Sequence, residues 1–333
     1  MSLKKEVSDE LKVVNNIGVI DEKGHWKPDN EGFKFSPLFD IPPRLKDSFV
    51  FIFGPRGYIA RYLIYVLLAI GTYYLLEQDF KAFDGVTLKF VGFMHLRNLA
   101  LMFFVYGGYH FILYTLKLQG NEQKYNPKWQ ITNSKRFMFG NQVYDNVFRS
   151  VISGATFWTA YEVLYVWMFS KGWLPYVSFS DNPVYFIALL FIIPIIKEVH
   201  FYTIHRILHW GPLLRKIHSV HHMNPNPAPW SGMAMHPVEH FFYFSVVLFQ
   251  FIIPSHPIHF LFNSQLTALS PAGVHTGFEG PLFKRTFTSG DYFHYLHHKH
   301  VACNFGGGTI PMDRWFKTFY NGEGKFRPRR KKK

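Results

Sequence analysis

The sequence predicts an all-α integral membrane protein: about four transmembrane helices plus a re-entrant or interfacial pair, capped by a cytosolic helical region of histidine boxes that binds two metals. Three observations lead there. Hydrophobic residues make up 48% of the 333 and charged residues 17%, where soluble domains carry about 25% charged. Mean hydropathy is nonetheless -0.02, too low for a chain made of spans alone, so a sizeable part is wet. Finally, of 18 histidines, all but His25, His95 and His110 fall between His200 and His300.

Residues 1–56 are a polar lead without the apolar core of a cleavable signal, ending near Ile41-Pro42-Pro43-Arg44, which reads as an interfacial loop. Residues 57–145 read as a transmembrane hairpin and a cytosolic loop. The apolar runs there are Tyr62 to Leu76 and Leu99 to Leu116, near the roughly 20 residues that a bilayer requires. The polar stretch 119–136, with Pro127, loops across the cytosolic face. A second hairpin pairs Val151 to Phe169, interrupted by Glu162, with Val184 to Ile196, which continues past Pro194 to emerge as the His205 helix. Phe241 to Ile253 leads through Pro254 and Pro257 into Ile258 to Phe262. Runs this short are buried or re-entrant, and the prolines break them.

Residues 146–320 hold the histidine-bearing unit, and 321–333 form a basic tail. Net charge is +14, much of it in Lys325, Arg327, Arg329, Arg330 and Lys331 to Lys333. No nucleic-acid module accompanies that tail, which argues against a nucleic-acid partner. Positive flanks mark the cytosolic side of a membrane and attract anionic headgroups, so the tail and the histidine region are expected to face the cytosol. A single cysteine, Cys303, excludes an internal disulfide and suits a reducing compartment.

The histidines fall in boxes of one design: His205-Arg-Ile-Leu-His209, His218-Ser-Val-His221-His222 and His294-Tyr-Leu-His297-His298. Residues at i, i+3 and i+4 share one face of a helix, so each box projects its imidazoles together. Eight imidazoles exceed the four ligands of a tetrahedral zinc and suit two metals of higher coordination. A buried hydrogen bond explains one isolated histidine, but not three clusters that repeat a spacing. His236-Pro-Val-Glu-His240 adds another i, i+4 pair, and His275 stands between boxes. All eleven are expected ligands. His256 and His259, flanking Pro257, read as interfacial; His110 reads as a core residue, His200 as a supporting neighbour and His300 as exposed. Glu239, Glu279 and Asp291 are candidates to fix ligand tautomers, as carboxylates beside metal-bound histidines do, although Asp291 is equally placed to cap a helix. Trp230, Met233 and Met235 are expected to wall a lipid pocket.

The arrangement resembles the fatty acid hydroxylase superfamily, in particular its sterol desaturase-like members. The three boxes in that order carry the resemblance. It is sharpened by Asn224-Pro-Asn-Pro-Ala-Pro-Trp-Ser-Gly-Met-Ala-Met-His236-Pro-Val-Glu-His240 and by Asn304-Phe305-Gly306 after the last box. It covers roughly residues 145 to 320 and nothing in 1 to 140. The resemblance implies a non-haem di-iron site held by histidines, with Glu239 and Asn304 as catalytic residues, and zinc replacing iron in overexpressed protein. It implies O2-dependent desaturation or hydroxylation of a sterol or acyl chain in the bilayer. It places such a protein in the endoplasmic reticulum membrane of a eukaryote or the cytoplasmic membrane of a bacterium. Electrons would come from NAD(P)H through cytochrome b5 or a ferredoxin. The chain carries no dinucleotide fingerprint, since Gly306-Gly307-Gly308 follows a histidine box rather than a strand. Lys284, Arg285, Lys299 and Arg314 are candidates to dock an acidic donor.

Three functions remain open on these residues. A C5-type sterol desaturase comes first, then a lipid hydroxylase acting on fatty acyl, sphingolipid or ether-lipid chains. The third is a histidine-rich metal transporter, opposed by boxes that flank helices instead of lining a path of intramembrane acids.

Overall fold

The structure, a computed structural model, describes residues 12–14, 18–28, 35–76, 85–282 and 287–326. Of the expected basic tail, Arg327, Arg329, Arg330 and Lys331 to Lys333 lie outside the described residues, as do Lys284 and Arg285.

The chain is mostly helical, and three helices are long and apolar enough to cross a membrane: Leu45–Leu75, Leu88–Thr115 and Pro183–Leu208. The first bends at Gly54–Gly57, giving a short helix Leu45–Phe53 and a long one Tyr58–Leu76. The second starts eleven residues before the run read from sequence, capped by Thr87, whose hydroxyl accepts from the Phe90 amide. The third carries Pro194 and continues to the first histidine box, as expected.

The expected span at Val151 to Phe169 is a helix of another kind. It runs as Gln142–Arg149, a π segment Ser150–Gly154 and Ala155–Ser170. Much of its Ala155–Ser170 part is buried, packed on the second long helix and on helices Pro237–Phe244 and Pro257–Val274. The reason is Glu162. It is fully buried and takes Arg97 in an ion pair, while Asn98, Trp158 and Ser264 donate to its two oxygens. A carboxylate in apolar surroundings persists only with such partners.

The broken pair is also present. Helix Pro237–Phe244 passes into a 3-10 segment Ser245–Phe251, and after Pro254 helix Pro257–Val274 begins. Its length was not legible: Asn263, Ser264, Gln265 and Thr267 break the apolar pattern, yet all are buried and hydrogen-bonded. Pro271 deprives the Thr267 carbonyl of its helical donor, and the Tyr243 hydroxyl supplies one at 2.8 Å. His256 and His259 are not interfacial but buried at the head of this helix, with the His259 ring bonded to the Phe186 carbonyl. His110 stacks on Tyr114 away from the histidine boxes.

Two small sheets are exceptions to an all-α chain. Strands Lys12–Val14, Gly18–Ile20 and Trp26–Pro28 form an antiparallel meander, and Gly280–Leu282 pairs with Phe287–Ser289. The lead is thus not merely polar: Trp26 is 1% exposed and packs on Tyr125 and Tyr292. The polar loop after the second long helix is likewise buried in part. Lys124 donates to the carbonyls of Asn126 and Lys128 beneath Trp129.

Removing one partner of the buried Arg97–Glu162 pair leaves the other charge uncompensated. Glu162→Ala is expected to lower stability by about 3–5 kcal/mol, and Glu162→Gln by less, because the amide oxygen still accepts from Trp158 and Ser264, which share one carboxylate oxygen. Thermal unfolding in detergent checks the order wild type, Gln, Ala.

Candidate metal centre

Nine of the eleven expected ligands converge in two groups. His205, His209, His218, His222 and His297 form the first; His221, His275, His294 and His298 form the second, with the ligand atoms of each group all within 4.8 Å of one another. Helix Pro183–Leu208 delivers His205 in its last turn and ends on His209 as its C-cap. His275 is likewise the C-cap of Pro257–Val274. The last box rides on helix Tyr292–His300, whose N-cap Asp291 accepts from the His294 amide at 3.0 Å. Asp291 is therefore a helix cap.

The second box departs from the α-helical reading. Residues His218–Met223 form a 3-10 helix, with about three residues per turn. His218 and His222 turn to the first group and His221 to the second. The last box divides as well: His297 joins the first group, His294 and His298 the second. Each doubled box thus straddles both groups, whose ring centroids approach to 5.3 Å between His222 and His298.

The tautomers are set from outside. The Nδ1 atoms of His205, His297 and His275 donate to the carbonyls of Phe305 (2.7 Å), Cys303 (2.6 Å) and Pro271 (2.9 Å), and His218 Nδ1 donates to Glu239 at 2.7 Å. A neutral ring donating from Nδ1 presents a bare lone pair at Nε2. Yet the Nε2 atoms of His205 and His218 lie 3.1 Å apart, and that of His275 lies 3.1 Å from those of both His294 and His298. Facing lone pairs repel unless a cation stands between them. An ion holding imidazoles at about 2.0–2.1 Å separates neighbouring ligand atoms by about 3 Å, so the residues fit a metal in each group.

Burial first, and neighbouring rings second, keep these imidazoles neutral, the form that binds metal. Desolvation lowers His297 to about 3 and His221 to about 4, and holds His218, His222, His275, His294 and His298 well below the usual range.

His236 and His240 do not reach either group. His236 caps helix Pro237–Phe244, its Nδ1 accepting from the Val238 amide. His240 is buried between the Ser153 hydroxyl and the Met233 carbonyl, 2.9 and 3.1 Å away. The close approach requires Gly154, where an added Cβ would stand 2.7 Å from Met233 and 3.2 Å from His240. The i, i+4 spacing of this pair reflects a capped helix start, not a ligand face. His200 bonds to Ser245, and His300 packs against Tyr320 and Phe326.

Glu239 orients His218, as the sequence suggested, and Glu279 instead accepts from the Tyr125 hydroxyl and the Tyr292 amide. Asn304 makes no side-chain hydrogen bond to a histidine among the described residues. It sits at φ 56 and donates to the carbonyls of Phe293 and Tyr320, fixing the turn whose neighbouring carbonyls hold His297 and His205. Asp313 completes that turn by accepting from the Phe305 and Gly306 amides at 2.9 and 2.7 Å. No signal marked Asp313 in the sequence, because its partners are backbone amides.

A cavity of about 910 Å³ reaches both groups, lined by His205, His218, His221, His275 and His294 together with Glu239, Tyr243 and Leu266. Met235 lines it too. Trp230 and Met233 do not: Trp230 packs on Phe103 and Tyr106, and Met233 is 0% exposed in the core.

The family model described as Fatty acid hydroxylase matches residues 189–318, the stretch that carries all nine clustered histidines. Among curated proteins, the chain is 29% identical over 152 residues to lathosterol oxidase of Homo sapiens, covering 45% of this chain and 49% of that protein. It is 28% identical over 114 residues to the Delta(7)-sterol 5(6)-desaturase of Candida glabrata, covering 34% and 31%. It is also 28% identical over 142 residues to methylsterol monooxygenase 1 of Danio rerio, covering 40% and 47%. The chain thus spans about half the length of these relatives or less. No solved structure matches it.

Two outcomes follow from this geometry. Glu239→Ala frees the His218 ring and is expected to weaken metal retention about 10–100-fold, with Glu239→Gln intermediate, as measured by metal content after titration with a chelator. Met233→Ala is expected to cost about 2–5 kcal/mol of stability without altering product ratios. Met235→Ala is expected to shift substrate or product preference at near-normal stability, a contrast that melting curves and product analysis resolve.

Proposed function

We propose, from the premise that this chain belongs to the fatty acid hydroxylase and sterol desaturase superfamily, that it is a membrane-bound, O2-dependent lipid oxidoreductase. In this reading two irons occupy the two histidine groups, and the reaction is a sterol desaturation that introduces a C=C bond. The observation that carries it is the pair of inward-facing histidine groups at the end of a large cavity beside apolar helices.

When bound, two irons supply the reduction of O2 and the removal of hydrogen from an unactivated C–H bond. The remaining work falls to the chain. Nine imidazoles hold the metals, and the Cys303, Phe305 and Pro271 carbonyls together with Glu239 keep four of them in the ligating tautomer. Phe201, Tyr243, Leu266 and Met235 wall the cavity, presenting a lipid to the histidines and limiting water there. In this reading electrons arrive from a cytochrome b5-like or ferredoxin donor fed by NAD(P)H, as the family resemblance implies. The active site faces the cytosol, a placement supported by the basic flanks.

Hydroxylation is the second reading, favoured by the similarity to methylsterol monooxygenase 1 and by chemistry: both reactions begin with the same hydrogen removal. A metal transporter fits less well, since the histidines close into two groups instead of forming a file along the spans.

Metal analysis and product analysis test the proposal together. Purified protein is expected to hold two metals per chain, and His222→Ala and His298→Ala are each expected to lose metal. Supplied with iron, O2, a reducing donor and a sterol or acyl lipid, the wild type is expected to yield an oxidised product. Unchanged metal content in both variants sinks the metal assignment. Absence of any product from a loaded, reducible site sinks the oxidase.

A further inference from the structure

The cavity that ends on the histidines has a second, cationic wall that the chemistry above leaves unused. Arg56, Arg61 and Lys197 all line it. Lys197 stands within the apolar helix Pro183–Leu208, where an ionisable group is costly and marks a functional role by default. It points the same way as the site: Lys197, Phe201, Ile204, His205 and Leu208 line the cavity at i, i+4, i+7, i+8 and i+11, one helical face.

The acids along the same cavity have partners of their own, Glu239 through one oxygen only. Glu198 Oε1 accepts from the amides of Thr309 and Ile310, both at 2.9 Å. Glu279 accepts from Tyr125 and Tyr292, Asp291 caps the His294 helix, and Glu239 holds His218. Arg61 stands within electrostatic reach of Tyr62 and of the Asp291 carboxylate. Arg56 and Lys197 make no hydrogen bond or salt bridge among the described residues.

We propose that this wall binds the anionic head, a phosphate or carboxylate, of the lipid whose chain or ring reaches the histidines. The inference rests on the reading of the cavity as the substrate site of a lipid oxidoreductase and, within that reading, points to an anionic acyl lipid in place of the neutral sterol. From Lys197 to His205 the helix rises about 12 Å, less than the length of an extended acyl chain, so one lipid spans both ends. The neighbouring helix Leu45–Phe53 supports entry from a bilayer surface. It buries no side chain, leaves Leu45, Phe49 and Phe53 at 79%, 64% and 60% exposure, and contributes Phe51 to the cavity. A helix of that kind lies in a membrane interface, where anionic heads stand. A neutral sterol offers one hydroxyl there and leaves the cations unpaired.

Equilibrium binding, read by native mass spectrometry or intrinsic fluorescence in a neutral detergent, tests this without turnover. The probes are oleate, 1-oleoyl lysophosphatidate, cholesterol and inorganic phosphate. The anionic lipids are expected to bind at least about tenfold more tightly than cholesterol, as one charge-assisted contact implies. Lys197→Gln and the exposed Arg56→Gln are each expected to weaken the anionic lipids by about tenfold and to leave cholesterol binding and metal content unchanged. Equal affinity for cholesterol overturns the proposal, as does indifference of the anionic lipids to both variants. Inorganic phosphate bound as tightly as lysophosphatidate overturns it in favour of a free-anion site. Because no turnover is measured, a failure here leaves the oxidase reading standing, and a failure to form product leaves this result interpretable.

Discussion

Nine imidazoles drawn into two groups, seven buried and two half-buried, with the Nε2 lone pairs of His205 and His218 facing each other, form the constraint on which the rest of this structure depends. Such a set is repulsive unless a metal joins it, and it is disordered unless each ring is held from behind. The chain meets the second demand mainly with backbone. Three of the four best-defined ring partners are carbonyls, of Pro271, Cys303 and Phe305, and one is the Glu239 carboxylate. Carbonyls accept and never donate, so they fix a tautomer without ambiguity and add no charge. The price is that each carbonyl must itself be immobilised. Pro271 sits in a buried helix packed against Gly232, where an added Cβ would meet the Pro271 carbonyl at 2.7 Å. Cys303 and Phe305 flank Asn304, which is itself locked by Phe293, Tyr320 and the Asp313 anchor.

The apolar helices face a related demand, because a backbone group without a partner has no water to turn to in a membrane. The abundance of tyrosine, 19 in the chain, answers part of it. Hydroxyls of Tyr58, Tyr106, Tyr114, Tyr161 and Tyr243 all donate to main-chain carbonyls of other elements, at 2.6 to 3.2 Å. Each joins two elements that the sequence separates by 24 residues or more. Apolar packing gives little orientation between helices surrounded by lipid tails, whereas these bonds and the Arg97–Glu162 network select one register. Tyrosine also combines a broad ring with a polar tip, so it can do this without the cost of a charge.

What the sequence disclosed and what it concealed divide along physical lines. The clustered histidines were legible because residue type and a repeated spacing coincide, and nine of the eleven came together. The two that did not, His236 and His240, share the spacing but serve a helix cap and a hydrogen bond within the core. Spacing says which residues share a face, not what the face meets. The division of each doubled box between two groups was hidden, since it depends on His218–Met223 being 3-10 and on where three separate helices end. Helix Pro257–Val274 was hidden beyond Phe262 because its polar residues look like a surface and are satisfied by partners far along the chain. Among Trp230, Met233 and Met235, only Met235 lines the cavity, a choice made by backbone direction that composition cannot predict.

The two groups also differ in exposure, and the difference has a direction. All four members of the second are buried, while His209 and His222 of the first are half-buried. The large cavity touches His205, His218, His221, His275 and His294 but neither of those two. His222 instead borders a separate hollow of about 400 Å³ with Arg136 and Arg215. The cluster therefore has one side toward the large cavity and another toward the smaller hollow. Two opposed faces let the proposed lipid and an electron donor each reach such a centre without obstructing the other. The straddling boxes then acquire a consequence: any shift of the 3-10 segment or of helix Tyr292–His300 moves ligands in both groups at once, so the inner and outer faces cannot rearrange independently.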